Sequence, residues 1–313
     1  MVLAAGLGLR MRPLTEKRAK PALPVLGRPL IQHTLERLRL AGVRDVVINL
    51  HHKPGSVRRV VGDGRRFGLR VRYSHEPRIL GTGGGPRKAR RLLRGPSVLL
   101  VNGDMLFDFD LRWLLERHRR SGAPATLALL PNPDPSAYGA VVTDAAGRIL
   151  SLAGRPRPAR GRVSLFTGVQ VLDPALLERL PPGASDSVRD LYAPLVAEGV
   201  RLLGVRVRGA WYDLGGPAQY LASQRLMLRR LGLARVVERS ARVEPGARVT
   251  AAVVGAGCWI ARGARVEASV LWEKVAVGAG ASVKRCVIAE GVRIRAGERV
   301  EGQLVTRSGR RPL

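Results

Sequence analysis

The strongest constraint on this chain is a repeat of 17 residues towards its end. Val237, Val254, Leu271, Ile288 and Val305 form one column, each 17 residues after the last. Val243, Ile260, Val277 and Ile294 form a second column, and Val249, Val266, Val283 and Val300 a third. The columns are offset by six, six and five residues, so each period holds three short strands with one apolar anchor apiece. Gly246, Gly263, Gly280 and Gly297 recur at one turn position, where an unhindered backbone is useful. A single period cannot bury its anchors; it does so only by stacking on its neighbours. Cys258 falls in the column of Ala241, Val275 and Val292, which predicts a small buried thiol.

Residues 1 to about 225 follow a different rhythm. Apolar runs at Val2–Ala5, Val46–Leu50, Leu69–Tyr73, Val98–Val101 and Thr126–Leu130 read as strands. Helical patterns lie between them at Pro29–Leu40, Pro54–Val61 and Leu111–Arg120, and residues 216–231 read as a closing helix. Strands alternating with helices predict an α/β domain, a mostly parallel sheet covered on both faces, with ligands at the carboxyl ends of its strands. The expected division is a domain over 1–231 and the repeat over 236–313. The repeat resembles the left-handed parallel β-helix of hexapeptide-repeat proteins.

Charge has to be read with this division in view. The 313 residues carry 54 Lys+Arg against 24 Asp+Glu, a net charge of +30, which invites a nucleic-acid reading. Residues 236–313 hold 14 of those cations and 7 of the anions, so the surplus is spread over both parts and forms no basic tail. Aromatic residues are only 4 %, too few to build stacking platforms for bases. Arginine outnumbers lysine 48 to 6, a bias of codon usage more than of function. No apolar run approaches the roughly 20 residues that span a bilayer. Two cysteines, Cys258 and Cys286, make no disulfide framework. Nucleic acid and membrane are therefore not expected partners, and the expected compartment is the cytoplasm.

The chemistry concentrates after the first strand, in Leu3-Ala-Ala-Gly-Leu-Gly-Leu-Arg-Met-Arg-Pro-Leu-Thr15 followed by Lys20-Pro21. Gly6 and Gly8 allow a sharp turn that presents amide N–H groups to phosphate. The spacing matches neither a dinucleotide-binding GxGxxG nor a Walker loop. Arg10 supplies a planar, permanently charged fork for phosphate oxygens, and Lys20 a compact cation.

This segment resembles the signature of the sugar nucleotidyltransferase family, Gly-x-Gly-Thr-Arg, then Pro-Leu-Thr, then Pro-Lys. Gly6, Gly8, Arg10, Pro13, Thr15 and Lys20 match; Leu9 and Ala19 stand where the family has Thr and Pro. Val101-Asn-Gly-Asp104 and Trp211-Tyr-Asp213-Leu-Gly215 resemble the settings of the family's two metal aspartates. Leu80-Gly-Thr-Gly-Gly-Gly85 resembles the loop that holds the nucleobase; Tyr138-Gly139 and Phe166-Thr-Gly168 resemble sugar-pocket segments. One departure matters: Gly154-Arg155-Pro156 stands where the family has Glu-Lys-Pro, so a carboxylate is missing.

The resemblance implies transfer of a nucleotidyl group from a nucleoside triphosphate to a sugar 1-phosphate, with release of pyrophosphate. It implies a Rossmann-like domain with an appended β-helix, and Mg²⁺ held by Asp104 and Asp213. Catalysis would fall to Arg10 and Lys20. Leu3, Ala5, Gly6, Gly8, Gly81 and Thr82 would bind nucleotide, and Gly139, Arg155 and Gly168 the sugar phosphate. GTP and mannose 1-phosphate form the first expected pair. Glucose 1-phosphate or an N-acetylated sugar phosphate with another nucleotide is the alternative. A non-catalytic subunit that senses an NDP-sugar would be expected to lose Arg10, Lys20 or an aspartate, and all are present. Acyl transfer on the repeat would want a base there, yet His33, His51, His52, His75 and His118 all precede it. The repeat is therefore expected to serve homo-oligomer assembly and stability, with no chemistry of its own.

Overall fold

The apolar runs of the first part become strands where the alternation puts them. The computed structural model describes residues 1–132, 134, 138–157 and 160–313. The chain divides into two compact units. One comprises Met1–Leu7 and Ile31–Trp211, the other Gly8–Leu30 and Tyr212–Leu313.

The first unit is built on a nine-stranded mixed sheet. Its parallel half runs Arg70–His75, Asp45–Leu50, Val2–Leu3, Val98–Asn102, with Val2–Leu3 hydrogen-bonded on both sides. The long strand Arg162–Leu172 then pairs antiparallel with Val98–Asn102, and also with Ala125–Pro131 and Val141–Thr143. Leu203–Arg206 joins Ala125–Pro131 in parallel, and Ile149–Leu152 closes the other branch antiparallel to Val141–Thr143. The parallel strands read as continuous apolar runs because both faces are covered: Val46 to Leu50 and Val98 to Val101 are all buried. Helices Pro54–Val61 and Leu111–Ser121 supply part of that cover. The second begins on an N-cap, Asp110 accepting from the amides of Arg112 and Trp113. Tyr192, Leu177, Leu100 and Leu127 lie in the same core.

The second unit contains the repeat, and the observed register is the 17-residue spacing itself. Val237 pairs with Val254, Val254 with Leu271, Leu271 with Ile288, and Ile288 with Val305, all in parallel. The Val243 and Val249 columns pair the same way. Three stacked parallel sheets result, as expected of the β-helix, and every anchor from Val249 onwards is buried. The last coil ends in a hairpin, Gly309–Pro312 returning antiparallel on Gln303–Thr306. Closing helix Pro217–Arg230 belongs to this unit too.

One feature of the coil lies outside the glycine column. Ala251, Ala268 and Arg285, again 17 apart, hold φ of 49°, 49° and 52°. Lys274 does so at 57°, level with Gly257 and Gly291 on the coils beside it. A non-glycine residue in this region costs roughly 1–2 kcal/mol, so the stack imposes these corners against local preference. Inter-coil hydrogen bonds such as Ala268 N–H to Thr250 O, 2.9 Å, hold them.

Two measurements test this packing. A Cβ at Gly278 would lie 2.5 Å from Ala296 N and 2.8 Å from its Cα, backbone that cannot step aside. Gly278→Ala is expected to lower stability by about 1–3 kcal/mol, read from the urea midpoint. Burial pushes the Cys258 thiol up to about 11 and raises Cys286 as well, so neither forms thiolate readily. Both should resist a thiol reagent at pH 8 in the native protein and react once it is unfolded. Fast native labelling would contradict the buried placement.

Candidate active site

Three parallel strands of the first unit end side by side, and the glycine-rich segment leaves from the middle one. Leu3 is in register with both Asn49 and Asn102. The Ala4 amide donates to Asn49 Oδ1 at 2.8 Å, and the Gly103 amide to Leu3 O at 2.8 Å. Gly103 is glycine for a reason, since a Cβ there would sit 2.8 Å from Leu3 O. Asp104 follows in the tight turn between Val98–Asn102 and Met105–Phe107, half-buried. Leu3 is half-buried, Ala5 buried and Gly6 exposed with open space about it. Leu3, Ala5, Gly6 and Asp104 thus gather at the carboxyl ends of parallel strands, where such sheets take ligands.

The Leu80–Gly85 segment is a helix start more than a loop. Gly81–Ala89 is helical, against the poor propensity of four glycines and a proline. Its packing explains the sequence. A Cβ at Gly81 would lie 2.5 Å from Ser185 O, which accepts from the Gly83 amide at 2.9 Å. Thr82 Oγ1 donates to Asp186 Oδ2 at 2.9 Å and accepts from the Ser187 amide at 2.9 Å.

A buried polar relay links this helix start to the first strand. Glu76 is fully buried, accepting from Asn49 Nδ2 at 2.7 Å and from the Leu80 amide at 3.0 Å. With Asn49 also holding the Ala4 amide, the two segments expected to bind nucleotide share one hydrogen-bonded frame. Asn49, Glu76, Asp186 and Ser187 were not singled out from the sequence. The available signal was an Asn inside the apolar run Val46–Leu50 and a lone Glu four residues before Leu80-Gly-Thr.

The expected sugar segments also meet. Arg162–Leu172 breaks its register with Ala125–Pro131 between Phe166 and Gln170, and Gly168 sits in that break with φ 77°. A Cβ at Gly168 would lie 2.6 Å from Asn102 Nδ2, so this strand approaches the Asn102–Asp104 turn as only glycine allows. Trp211 Nε1 donates to Thr167 O and to Met105 Sδ, both at 3.1 Å, and its ring meets Tyr138 edge-on at 5.5 Å. Gly139 follows with φ 65°, its carbonyl accepting from Asn132 Nδ2 at 2.6 Å. Arg155 lies on an exposed turn after Ile149–Leu152. The Ala153 amide donates to Ala140 O at 2.9 Å, so that turn adjoins Gly139.

The second unit carries the remaining residues. Gly8 has φ 64° and would place a Cβ 2.9 Å from Thr15 Cγ2. Thr15 Oγ1 donates to Gly8 O at 2.9 Å, closing a turn that buries Met11 and Leu14 and leaves Arg10 exposed. Lys20 is 5 % exposed, which for a lysine requires partners. A Cβ at Gly215 would lie 3.0 Å from Asp213 Oδ2 and 3.1 Å from Arg10 Nη1, so carboxylate and guanidinium converge on that glycine. Asp104 belongs to the first unit and Asp213 to the second. Among the described residues no group of three or more His, Cys, Asp or Glu could enclose a metal ion.

The Nucleotidyl transferase family model matches residues 1–230, and the GMPPB C-terminal domain model matches 234–309. A mannose-1-phosphate guanylyltransferase of Mycobacterium tuberculosis is 33% identical over 273 residues, 83% of this chain and 76% of that protein. A UTP–glucose-1-phosphate uridylyltransferase of Synechocystis is 32% identical over 245 residues, 74% of this chain and 63% of its own length. The catalytic subunit beta of the Dictyostelium discoideum mannose-1-phosphate guanylyltransferase is 30% identical over 234 residues, 74% and 65% of the two chains. The chain thus spans just under two thirds of the last two. A crystal structure described as a glucose-1-phosphate thymidylyltransferase of Bacillus anthracis superposes with TM-score 0.62 at 22% identity, covering 72% of this chain and 93% of that one. At that identity it bears on fold alone.

Glu76→Ala tests the buried relay. It leaves the Asn49 amide and the Leu80 N–H without their acceptor, a loss of about 1–3 kcal/mol. Amide exchange should rise at both ends of the relay, near Ala4 and near Leu80. A change confined to residues 76–80 would break the proposed link.

Proposed function

The chain belongs to the nucleotidyl transferase family, and we propose that it joins GTP to mannose 1-phosphate, releasing pyrophosphate and GDP-mannose. The carrying observation is the likeness to the Mycobacterium tuberculosis guanylyltransferase over 83% of the chain, with the GMPPB C-terminal domain matched across the repeat. The Synechocystis uridylyltransferase favours glucose 1-phosphate with UTP as the second reading. In both, the transferase segment is residues 1–231 and the β-helix 236–313.

The chemistry needs alignment and charge neutralisation more than a covalent intermediate. A sugar phosphate is already anionic and attacks the α-phosphorus without a general base, so a catalytic histidine is not required. Lys20, with its charge drawn out of bulk water, would hold that nucleophile. Arg10 would take the departing pyrophosphate through its planar fork. Backbone at Leu3, Ala5, Gly6 and Gly8 would carry the triphosphate, and Gly81 with Thr82 the base. Gly139, Arg155 and Gly168 would receive the sugar phosphate. Gly154 stands where the family has its acidic residue and Arg155 keeps the neighbouring cation, so recognition of sugar hydroxyls would pass to backbone and neutral groups. Asp104 and Asp213 would hold Mg²⁺, which when bound supplies charge neutralisation at the α-phosphate. Among the described residues no helix is long and apolar enough to cross a membrane; the cytoplasm is the compartment proposed for a reaction of this kind. The stacked coil also offers an end and a flat side for a second copy, the basis for proposing a homo-oligomer.

Pyrophosphate release over a matrix of nucleoside triphosphates and sugar 1-phosphates decides the pair. GTP with mannose 1-phosphate should give the highest kcat/KM; a maximum at UTP with glucose 1-phosphate selects the second reading. Asp104→Asn should lower turnover about a hundredfold or more with little change in the unfolding midpoint. Near-normal turnover in that variant, or full activity in EDTA, would remove the metal role.

A further inference from the structure

The segment Gly8–Leu30, which carries Arg10 and Lys20, falls in the same compact unit as the β-helix. Between Thr15 and Lys20 one side chain accounts for much of that association. Arg18 Nη1 donates to Glu273 Oε1 at 2.8 Å and Nη2 to Glu273 Oε2 at 3.0 Å, a bidentate pair. Nη2 also reaches Glu290 Oε2 at 2.6 Å. The guanidinium carbon lies 5.2 Å from the centre of the Trp272 ring, within cation–π range. The Arg18 side chain is 22% exposed, so this is no loose surface pair.

The repeat explains why two carboxylates converge there. Glu273 and Glu290 are 17 residues apart and follow the paired strands Val270–Leu271 and Val287–Ile288, so they occupy equivalent corners of adjacent coils. The next positions in the column, Ala256 and Arg307, are not acidic. Two like charges stacked in register repel, and Arg18 is the cation that joins them. The Trp272 beneath is fixed in turn, its Nε1 donating to Tyr220 Oη at 3.1 Å while Tyr220 Oη donates to Pro24 O. The Leu26 amide donates to Gln224 Oε1 at 2.9 Å, and Arg311 donates to Arg12 O. The segment is thus tied down at Arg12, Arg18, Pro24 and Leu26, and Arg18 stands two residues before Lys20.

We propose that Arg18 is a positioning residue, through which the Glu273–Glu290 pair of the β-helix sets Lys20 for the incoming sugar phosphate. The inference rests on the role given to Lys20 above. It assigns the β-helix a part in turnover, where the sequence suggested assembly and stability alone. If the clamp were only glue, its loss would lower the melting temperature and leave the kinetics of the surviving folded protein intact.

The test uses the full chain and three variants: Arg18→Met, Arg18→Lys, and Glu273→Gln with Glu290→Gln. Arg18→Met should lower kcat about tenfold or more and raise KM for the sugar phosphate, with KM for the nucleotide nearly unchanged. Arg18→Lys, which keeps the charge but not the fork, should recover part of the loss. The double Gln variant should reproduce Arg18→Met and replaces it if that variant does not fold. Amide exchange over residues 8–22 should quicken in both. Kinetics within about twofold of wild type in the folded variants overturn the proposal, whatever the melting temperature does. If wild type itself releases no pyrophosphate with any pair, the functional reading fails. The clamp is then decided by exchange alone, and equal protection of residues 8–22 in wild type and Arg18→Met overturns it.

Discussion

Everything in the first unit is arranged around a strand of two residues. Val2–Leu3 is hydrogen-bonded in parallel on both sides, and its Leu3 is in register with Asn49 on one neighbour and Asn102 on the other. A strand that short contributes little by itself; its place is set by partners that are themselves buried on both faces. The consequence is geometric. The Ala4 amide, the Gly103 turn and the Asn49 side chain meet at the carboxyl ends of these strands, and Glu76 carries that fixation to Leu80. Glu76 is buried and bound by two neutral donors. A carboxylate in that position is costly unless its oxygens are occupied, and both are.

The β-helix shows the opposite strategy, in which repetition replaces diversity. One anchor per strand suffices because each strand of the inner coils has a parallel neighbour above and below. The ladder overrides local preference at Ala251, Ala268, Lys274 and Arg285, all held at positive φ. The same regularity turns a single acidic corner into a stacked pair when two successive coils carry Glu, as at 273 and 290. A coil is therefore a ruler: it places charges at fixed spacing on a rigid surface, which a loop could not do.

How much of this was legible in the sequence follows from where the information resides. Register in the repeat was fully legible, because a period of 17 with apolar anchors admits one pairing. The parallel strands and the helices at Pro54–Val61 and Leu111–Ser121 were legible from periodicity, with ends shifted by a residue or two. Three things were not. The antiparallel branch through Arg162–Leu172 depends on tertiary pairing that no local pattern specifies. Gly81–Ala89 reads as loop because its glycines are chosen for close approach to Ser185, not for propensity. Arg18 reads as one cation among 54, and only the positions of Glu273 and Glu290 distinguish it.

The last point has an energetic side. Gly8–Leu30 contains only two single-turn 3₁₀ segments, Leu9–Met11 and Lys20–Ala22, and the minimal hairpin Pro24–Val25 with Arg28–Pro29. Ordering such backbone costs roughly 1–2 kcal/mol per residue. Its buried side chains, Met11, Leu14, Leu23 and Val25 among them, offset part of that cost. Exposed ion pairs elsewhere on the chain, such as Arg70 with Asp45, add little because water competes for both partners. Arg18 differs in being largely shielded, bidentate and stacked on a ring that is itself hydrogen-bonded. A segment proposed to present Arg10 and Lys20 to phosphate, with few regular elements of its own, depends on contacts with the rest of its unit. The tethers at Arg12 and Arg18 lead to the stacked coil and its terminal hairpin, and those at Pro24 and Leu26 to the helix Pro217–Arg230.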